Sequence, residues 1–120
     1  MADTTKEKKQ VREVTNILSK QFNTLLIEKN VVDKGEKILK YHGVSLDEKI
    51  ALFVLNNKLV DGRIKAGQNS SIFKKCYLLT LSDCEKKILV FTDAVFRQKF
   101  VEVYSEYLNG IETMFCPVSE

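Results

Sequence analysis

Ser45-Leu46-Asp47-Glu48-Lys49-Ile50-Ala51-Leu52-Phe53-Val54-Leu55 is the stretch on which the fold turns. Ser45 and Glu48 stand at the spacing of a capping box, where a hydroxyl and a carboxylate each satisfy an orphan amide at a helix start. The six apolar residues Ile50 to Leu55 fit a buried strand equally well, since periodicity does not separate a short buried strand from a buried helix. Capping supplies a mechanism for starting a helix, so 45–55 is read as helix.

Working back toward the N-terminus, Asp33-Lys34-Gly35-Glu36 repeats the capping pattern. A short helix is therefore expected to run to His42, with Gly43 as the left-handed residue that closes it. Thr4-Thr5-Lys6-Glu7 is a further capping box. Behind it Val11, Val14, Leu18, Phe22, Leu25 and Leu26 recur at three- and four-residue steps, which predicts a helix from about residue 5 to about residue 29. Lys6, Lys8 and Lys9 occupy its first turns, where the helix dipole disfavours cations, so residues 1–10 are expected to fray.

Toward the C-terminus, Asp61 to Ser71 is rich in Gly, Ser and Asn and reads as a loop. Phe73–Leu81 and Lys87–Thr92 read as two strands, joined in a hairpin by Ser82-Asp83-Cys84-Glu85-Lys86. Thr92 or Asp93 caps a last helix carrying Val95, Phe96, Phe100, Val103, Tyr104, Tyr107 and Leu108, and Asn109-Gly110 stops it. Thr113–Val118 is β-like. Strand 87–92, helix 94–109 and strand 113–118 have the size of one βαβ unit, with the two strands parallel. The expected fold is α+β: a helical N-terminal third (a long helix plus a helix pair), then a small mixed sheet with a hairpin and a C-terminal βαβ unit. The 120 residues show no repeat and no linker, so one domain over 1–120 is expected.

Composition narrows the function classes. The chain is 44% hydrophobic with five Gly and one Pro, too apolar for a disordered segment. No apolar run reaches the roughly 18–20 residues of a membrane span, and Met1–Gln10 is polar, unlike a secretory signal. Three cysteines, Cys76, Cys84 and Cys116, form an odd set suited to free thiols in a reducing intracellular compartment, with the cytoplasm as the expected location. Cys76 and Cys84 would face each other across the expected hairpin. With His42 the thiols could supply four zinc ligands, but they lack a C-x-x-C knuckle, and no metal or cofactor is assigned. The net charge of +3 comes entirely from residues 1–60, with eleven Lys/Arg against eight Asp/Glu; residues 61–120 carry eight of each.

Few motifs offer chemistry. Gly62-x-x-x-x-Gly67 has the glycine spacing of a phosphate loop, but Gln68-Asn69 stands where Lys and Ser/Thr belong. The two short helices joined by Gly43-Val44-Ser45 resemble a helix-turn-helix over about twenty residues. Asp47 and Glu48 would then face phosphates, contrary to that resemblance. Asp61 with Glu85-Lys86-Lys87 has the residue types of a metal-dependent nuclease core. Acid–base schemes must rely on the single histidine, His42.

No catalytic residue is assigned. The leading reading is a non-enzymatic protein-interaction module that binds a partner or a second copy through Val11, Val14, Leu18, Phe22 and Leu25 of the N-terminal helix. The alternative is a nucleic-acid-binding accessory protein using Arg63, Lys65, Lys74, Lys75, Lys86 and Lys87, with Phe73 and Tyr77 as stacking rings. A metal-dependent nuclease is the third. No membrane association and no small-molecule substrate is expected.

Overall fold

The computed structural model of the chain describes residues 4–32 and 38–118. The elements in order are α1 (Thr4–Gln21), β1 (Leu26–Val32), β2 (Ile38–Ser45), β3 (Ile50–Leu55), α2 (Ala66–Leu81), β4 (Lys86–Phe91), α3 (Ala94–Tyr104), a 3-10 turn (Ser105–Tyr107) and β5 (Glu112–Phe115). The fold is α+β, with a five-stranded mixed sheet in the order β1-β2-β3-β4-β5. β1, β2 and β3 pair antiparallel. β3, β4 and β5 pair parallel, each crossover being made by one helix, as parallel pairing requires.

Strand β3 explains the architecture. Leu52 and Val54 pack with Val14 and Leu18 of α1. Ala51, Phe53 and Leu55 pack on the other face with Ile72, Cys76 and Leu79 of α2 and with Phe96 and Phe100 of α3. A strand covered on both faces must be apolar at every position, and Ile50–Leu55 is. The helix expected over 45–55 is thus a strand, preceded by a turn. Its capping serine does bind amides, but those of that turn: Ser45 Oγ accepts from the N–H groups of Lys49 (3.1 Å) and Ile50 (3.0 Å). Asp47 accepts from Ser45 Oγ at 2.6 Å, and Glu48 takes the left-handed conformation at φ 57°.

The helical N-terminal third is corrected in the same way, because a strand pair follows α1. Helix α1 stops at Gln21 rather than near residue 29. Asn23, at φ 53°, reverses the chain. The N–H of Thr24 bonds Ser19 O at 3.0 Å and the N–H of Asn23 bonds Lys20 O at 3.3 Å, the two bonds of a Schellman closure with Asn in the usual glycine place. Leu26 then opens β1, its N–H bonded to Ser19 Oγ at 2.9 Å. The capping pattern at Asp33–Glu36 lies outside the described residues. The helix expected to follow it is β2 from Ile38 onward.

Gly43 does not close a helix. It sits in β2 opposite Leu52, where a Cβ would come within 3.2 Å of the Leu52 side chain and of Thr15 Cγ2 on α1. The missing side chain is what lets α1 lie close on the sheet. With Gly43-Val44-Ser45 inside a strand, the helix-turn-helix likeness lapses.

The strand expected over Phe73–Leu81 is the second half of helix α2, and the loop expected over 61–71 contains its first turns. Ile72, Cys76 and Leu79 are its buried positions, spaced by four and three. Residues 82–85 therefore connect a helix to β4 rather than two strands of a hairpin. Ahead of α2, Val60 and Arg63 exchange both backbone bonds at 2.9 and 3.0 Å around Asp61 and Gly62, both at positive φ. This is the geometry Asp-Gly favours in a two-residue turn. The expected βαβ tail is present, as β4, α3 and β5 with β4 and β5 parallel.

Candidate interaction surface

The stripe on α1 is brought together, but beneath the sheet. Val14 and Leu18 are 0% and 1% exposed, and Val11 and Phe22 pack against the same cluster. Leu25 alone of the five is largely exposed; it lies past the helix end, between α1 and β1. While α1 is seated, an incoming chain cannot touch the middle of the stripe.

The basic set is dispersed. Arg63 and Lys65 precede α2, at the carboxyl end of β3, while Lys86 and Lys87 begin β4 at the opposite end of the parallel strands. Between them runs the 16-residue α2, about 24 Å long. Lys86 Nζ lies 5.1 Å from the centroid of Phe22, on the α1 face. Lys87 belongs by alternation to the other face, with Leu89. Lys75 Nζ donates to Ser71 Oγ one turn earlier at 3.0 Å. The nuclease pairing separates likewise, with Asp61 in the turn before α2 and Glu85 after it.

Glu85 instead borders a cavity of about 540 Å³ at the amino end of β3 and β4, with Asp47, Lys49, Lys86 and Glu112 around it. Carboxylates and ammonium groups alternate there. The Asp47 carboxyl is held below its ordinary range, first by the Ser45 hydroxyl and then by the Lys49 amide, so its lone pairs already serve the β2–β3 turn. Among the described residues, no three His, Cys, Asp or Glu side chains gather as metal ligands. His42 lies on β2, and its Nδ1 accepts the Val54 N–H at 2.8 Å, standing in for a backbone acceptor.

A cluster of rings, one of them exposed, lies on the other face of the molecule, with the exposed Tyr77 beside it. Phe73 of α2 meets Tyr104 edge-on at 5.1 Å and Tyr107 at 5.6 Å. Tyr104 and Tyr107 are 6.0 Å apart, and Phe100 ties this group to the core through Phe91 at 5.7 Å and Tyr104 at 5.1 Å. Asn69 Nδ2 donates to the Tyr104 hydroxyl at 2.8 Å, fixing the ring against α2. The result is a groove of about 470 Å³ between α2 and the end of α3, lined by Phe73, Cys76, Tyr77, Thr80, Tyr104 and Tyr107. Tyr77 and Tyr107 are 63% and 65% exposed. Val95 and Val103 on α3 are also open to solvent.

Burial pushes the Cys76 thiol in this groove up to about 11, so it stays protonated at neutral pH and is a poor nucleophile. The groove therefore offers aromatic faces, hydroxyls and one inert thiol. That inventory suits a side chain seated by packing and a few hydrogen bonds.

Two of these residues, Phe73 and Tyr77, are the rings expected to stack on nucleic acid, and Tyr104 and Tyr107 are among the apolar positions expected on the last helix. The overlooked signal is the spacing of Phe73, Cys76, Tyr77 and Thr80 by three, one and three, which sets one wall of the groove once α2 is a helix. At the carboxyl end of β3, the Asn56 carboxamide is buried with neither of its polar atoms hydrogen-bonded to a described residue, and Asn69 Oδ1 is in the same condition. No helix among the described residues is long and apolar enough to cross a membrane. No protein-family model, curated protein or solved structure matches this chain.

Proposed function

We propose that this chain acts by binding another polypeptide through the groove between α2 and the end of α3, and not by catalysis. The observation that carries this reading is the pair of tyrosines, Tyr77 and Tyr107, left largely exposed beside a ring cluster anchored in the core. Tyrosine is enriched at interface centres because it presents a large, rigid apolar body with a polar tip. Here Tyr107 packs against Phe73 and Tyr104, and Asn69 fixes Tyr104 in turn, so less of the Tyr107 side-chain freedom remains to be lost on binding. The α1 stripe supports this role indirectly, by seating the sheet.

The test is native mass spectrometry of the protein isolated from cells that express it, with and without nuclease treatment. A polypeptide companion, either a copy of the chain or another protein, is expected. It should be lost in Tyr77→Asp and Tyr107→Asp and kept in Leu25→Asp. A species with no companion overturns the proposal. So does one whose only companion is nucleic acid, or one dissociated by Leu25→Asp but not by the tyrosine variants.

A further inference from the structure

Resting on that reading, we infer that the groove takes a second copy of this chain, in a two-fold dimer where α2 of each protomer meets the end of α3 of its partner. A two-fold interface must be self-complementary: whatever one protomer contributes at one place, it must receive at another. The groove meets that condition in shape and in charge. Its α2 wall carries the projecting Tyr77, and its other wall carries the projecting Tyr107. Each wall therefore has one ring to give and shares one groove to receive.

The charges follow the same division. Lys74 stands three residues before Tyr77 on α2, and Glu106 stands directly before Tyr107 in the 3-10 turn. Both are exposed, and neither is engaged in an ion pair with another described residue. Antiparallel apposition of α2 on the partner's 3-10 turn sets the ammonium of each copy toward the carboxylate of the other, twice per dimer. An exposed lysine beside one wall of the groove and exposed glutamates beside the other match a copy of the same surface turned around. A nucleic acid would meet Glu106 and the exposed Glu102 as repulsive neighbours on the same wall.

The projecting side chains are few against the roughly 800 Å² per partner of a standard interface. The dimer is therefore reversible and concentration-dependent. Rim charge pairs contribute modestly when single, but two-fold symmetry doubles each effect.

Sedimentation equilibrium on the purified chain alone, over micromolar to near-millimolar concentration at low salt, tests this. A monomer–dimer equilibrium is expected. Lys74→Glu and Glu106→Lys should each weaken dimerisation roughly tenfold, as two like-charge contacts replace two opposite ones. The double exchange Lys74→Glu with Glu106→Lys should return it close to the starting value. Tyr77→Asp should abolish it, with circular dichroism unchanged.

A chain that stays monomeric throughout overturns the inference. If such a monomer still binds a different protein and loses it on Tyr77→Asp, the function proposed above survives while the dimer does not. A dimer indifferent to Tyr77→Asp overturns the inference, and it overturns the function as well when no other protein is lost on Tyr77→Asp. A double exchange that fails to recover binding overturns the two-fold arrangement.

Discussion

The two faces of the sheet are covered by apolar surface of different economy. On one, α1 brings Val14 and Leu18 onto Leu52, Val54, Ile88 and Val90, and of the stripe only Leu25, past the helix end, stays largely exposed. On the other, α2 and α3 bring Ile72, Leu79, Phe96 and Phe100 onto Phe53, Leu55, Leu89 and Phe91, and still have Tyr77, Tyr107 and Val103 to spare. An amphipathic stripe in a sequence first reports the need to cover a sheet. What points to a partner is the surplus, and a surplus is visible only after the coverage has been assigned.

The largest effect should separate the two faces outright. Leu18→Asp puts an unpaired carboxylate into a site that is 1% exposed. It should cost about 4 kcal/mol or more, enough to abolish cooperative urea unfolding. Tyr77→Asp, at 63% exposure, should stay within about 1 kcal/mol of the parent. If Leu18→Asp keeps its fold and merely sheds a partner, α1 is a docking helix after all.

The α1 stripe was legible because its spacing is regular from Val11 to Phe22, and the β4–α3–β5 tail was legible because capping and glycine signals bracket it. The middle of the chain was not. Ser45 satisfies amides in the structure as in the sequence reading, but a hydroxyl serves the loop of a β-turn as readily as a helix start. The error then spread. With β3 read as a helix, nothing in the pattern asks for a helix to cover it, and the apolar Phe73–Leu81 reads as a strand although it is the second half of α2. Burial on both faces of β3 is a tertiary fact, and its alternation cannot be seen when every position is apolar. The groove failed to show for the same reason: its two walls, Phe73–Thr80 and Tyr104–Tyr107, lie some thirty residues apart in sequence and meet only through α2 being helical.

How tightly α1 is seated can be gauged at Gly43. An added Cβ would lie 3.2 Å from Thr15 Cγ2 and from Leu52 Cγ and Cδ1, so Gly43→Ala should cost about 1–3 kcal/mol through crowding of a packed interface. Thr15→Ser removes one of the obstructing groups and keeps the hydroxyl that donates to Arg12 O at 3.0 Å. Part of the cost should therefore return in the double variant, as a coupling measured by a double-mutant cycle. Strict additivity would mean that the helix does not approach the strand as closely as the geometry has it.

The end of α1 decides where its stripe stops and β1 begins. Asn23 holds φ 53°, a conformation that costs a residue with an ordinary Cβ about 1 kcal/mol and glycine little. Asn23→Ala should lower stability by about that much, and Asn23→Gly should leave it level or slightly raised, both read from urea midpoints at constant m-value. A helix continuing toward residue 29 would show the reverse order, since alanine favours a helix interior and glycine opposes it.

The effect that is silent at neutral pH sits under the groove. Burial raises the Cys76 thiol from 9.0 to about 11, which favours the neutral thiol in the folded chain. Its contribution is thus fully present below pH 9 and is lost as the pH rises through about 11, because the unfolded chain releases its proton first. A Cys76→Ser variant should show a flatter fall in stability over that window. Labelling makes the same point with more contrast. From pH 8 to pH 9 a thiol that ionises near 11 holds roughly a hundredth of the thiolate that a free cysteine would hold. Iodoacetamide should then modify Cys76, followed by peptide mass, about a hundredfold more slowly than a solvated thiol. Its rate should still be climbing at pH 10. Replacing Tyr77 with Ala uncovers the groove and should speed the reaction without unfolding the chain. A thiol that already reacts at the solvated rate in the parent would place Cys76 outside the packing of α2 against the sheet, and the floor of the groove with it.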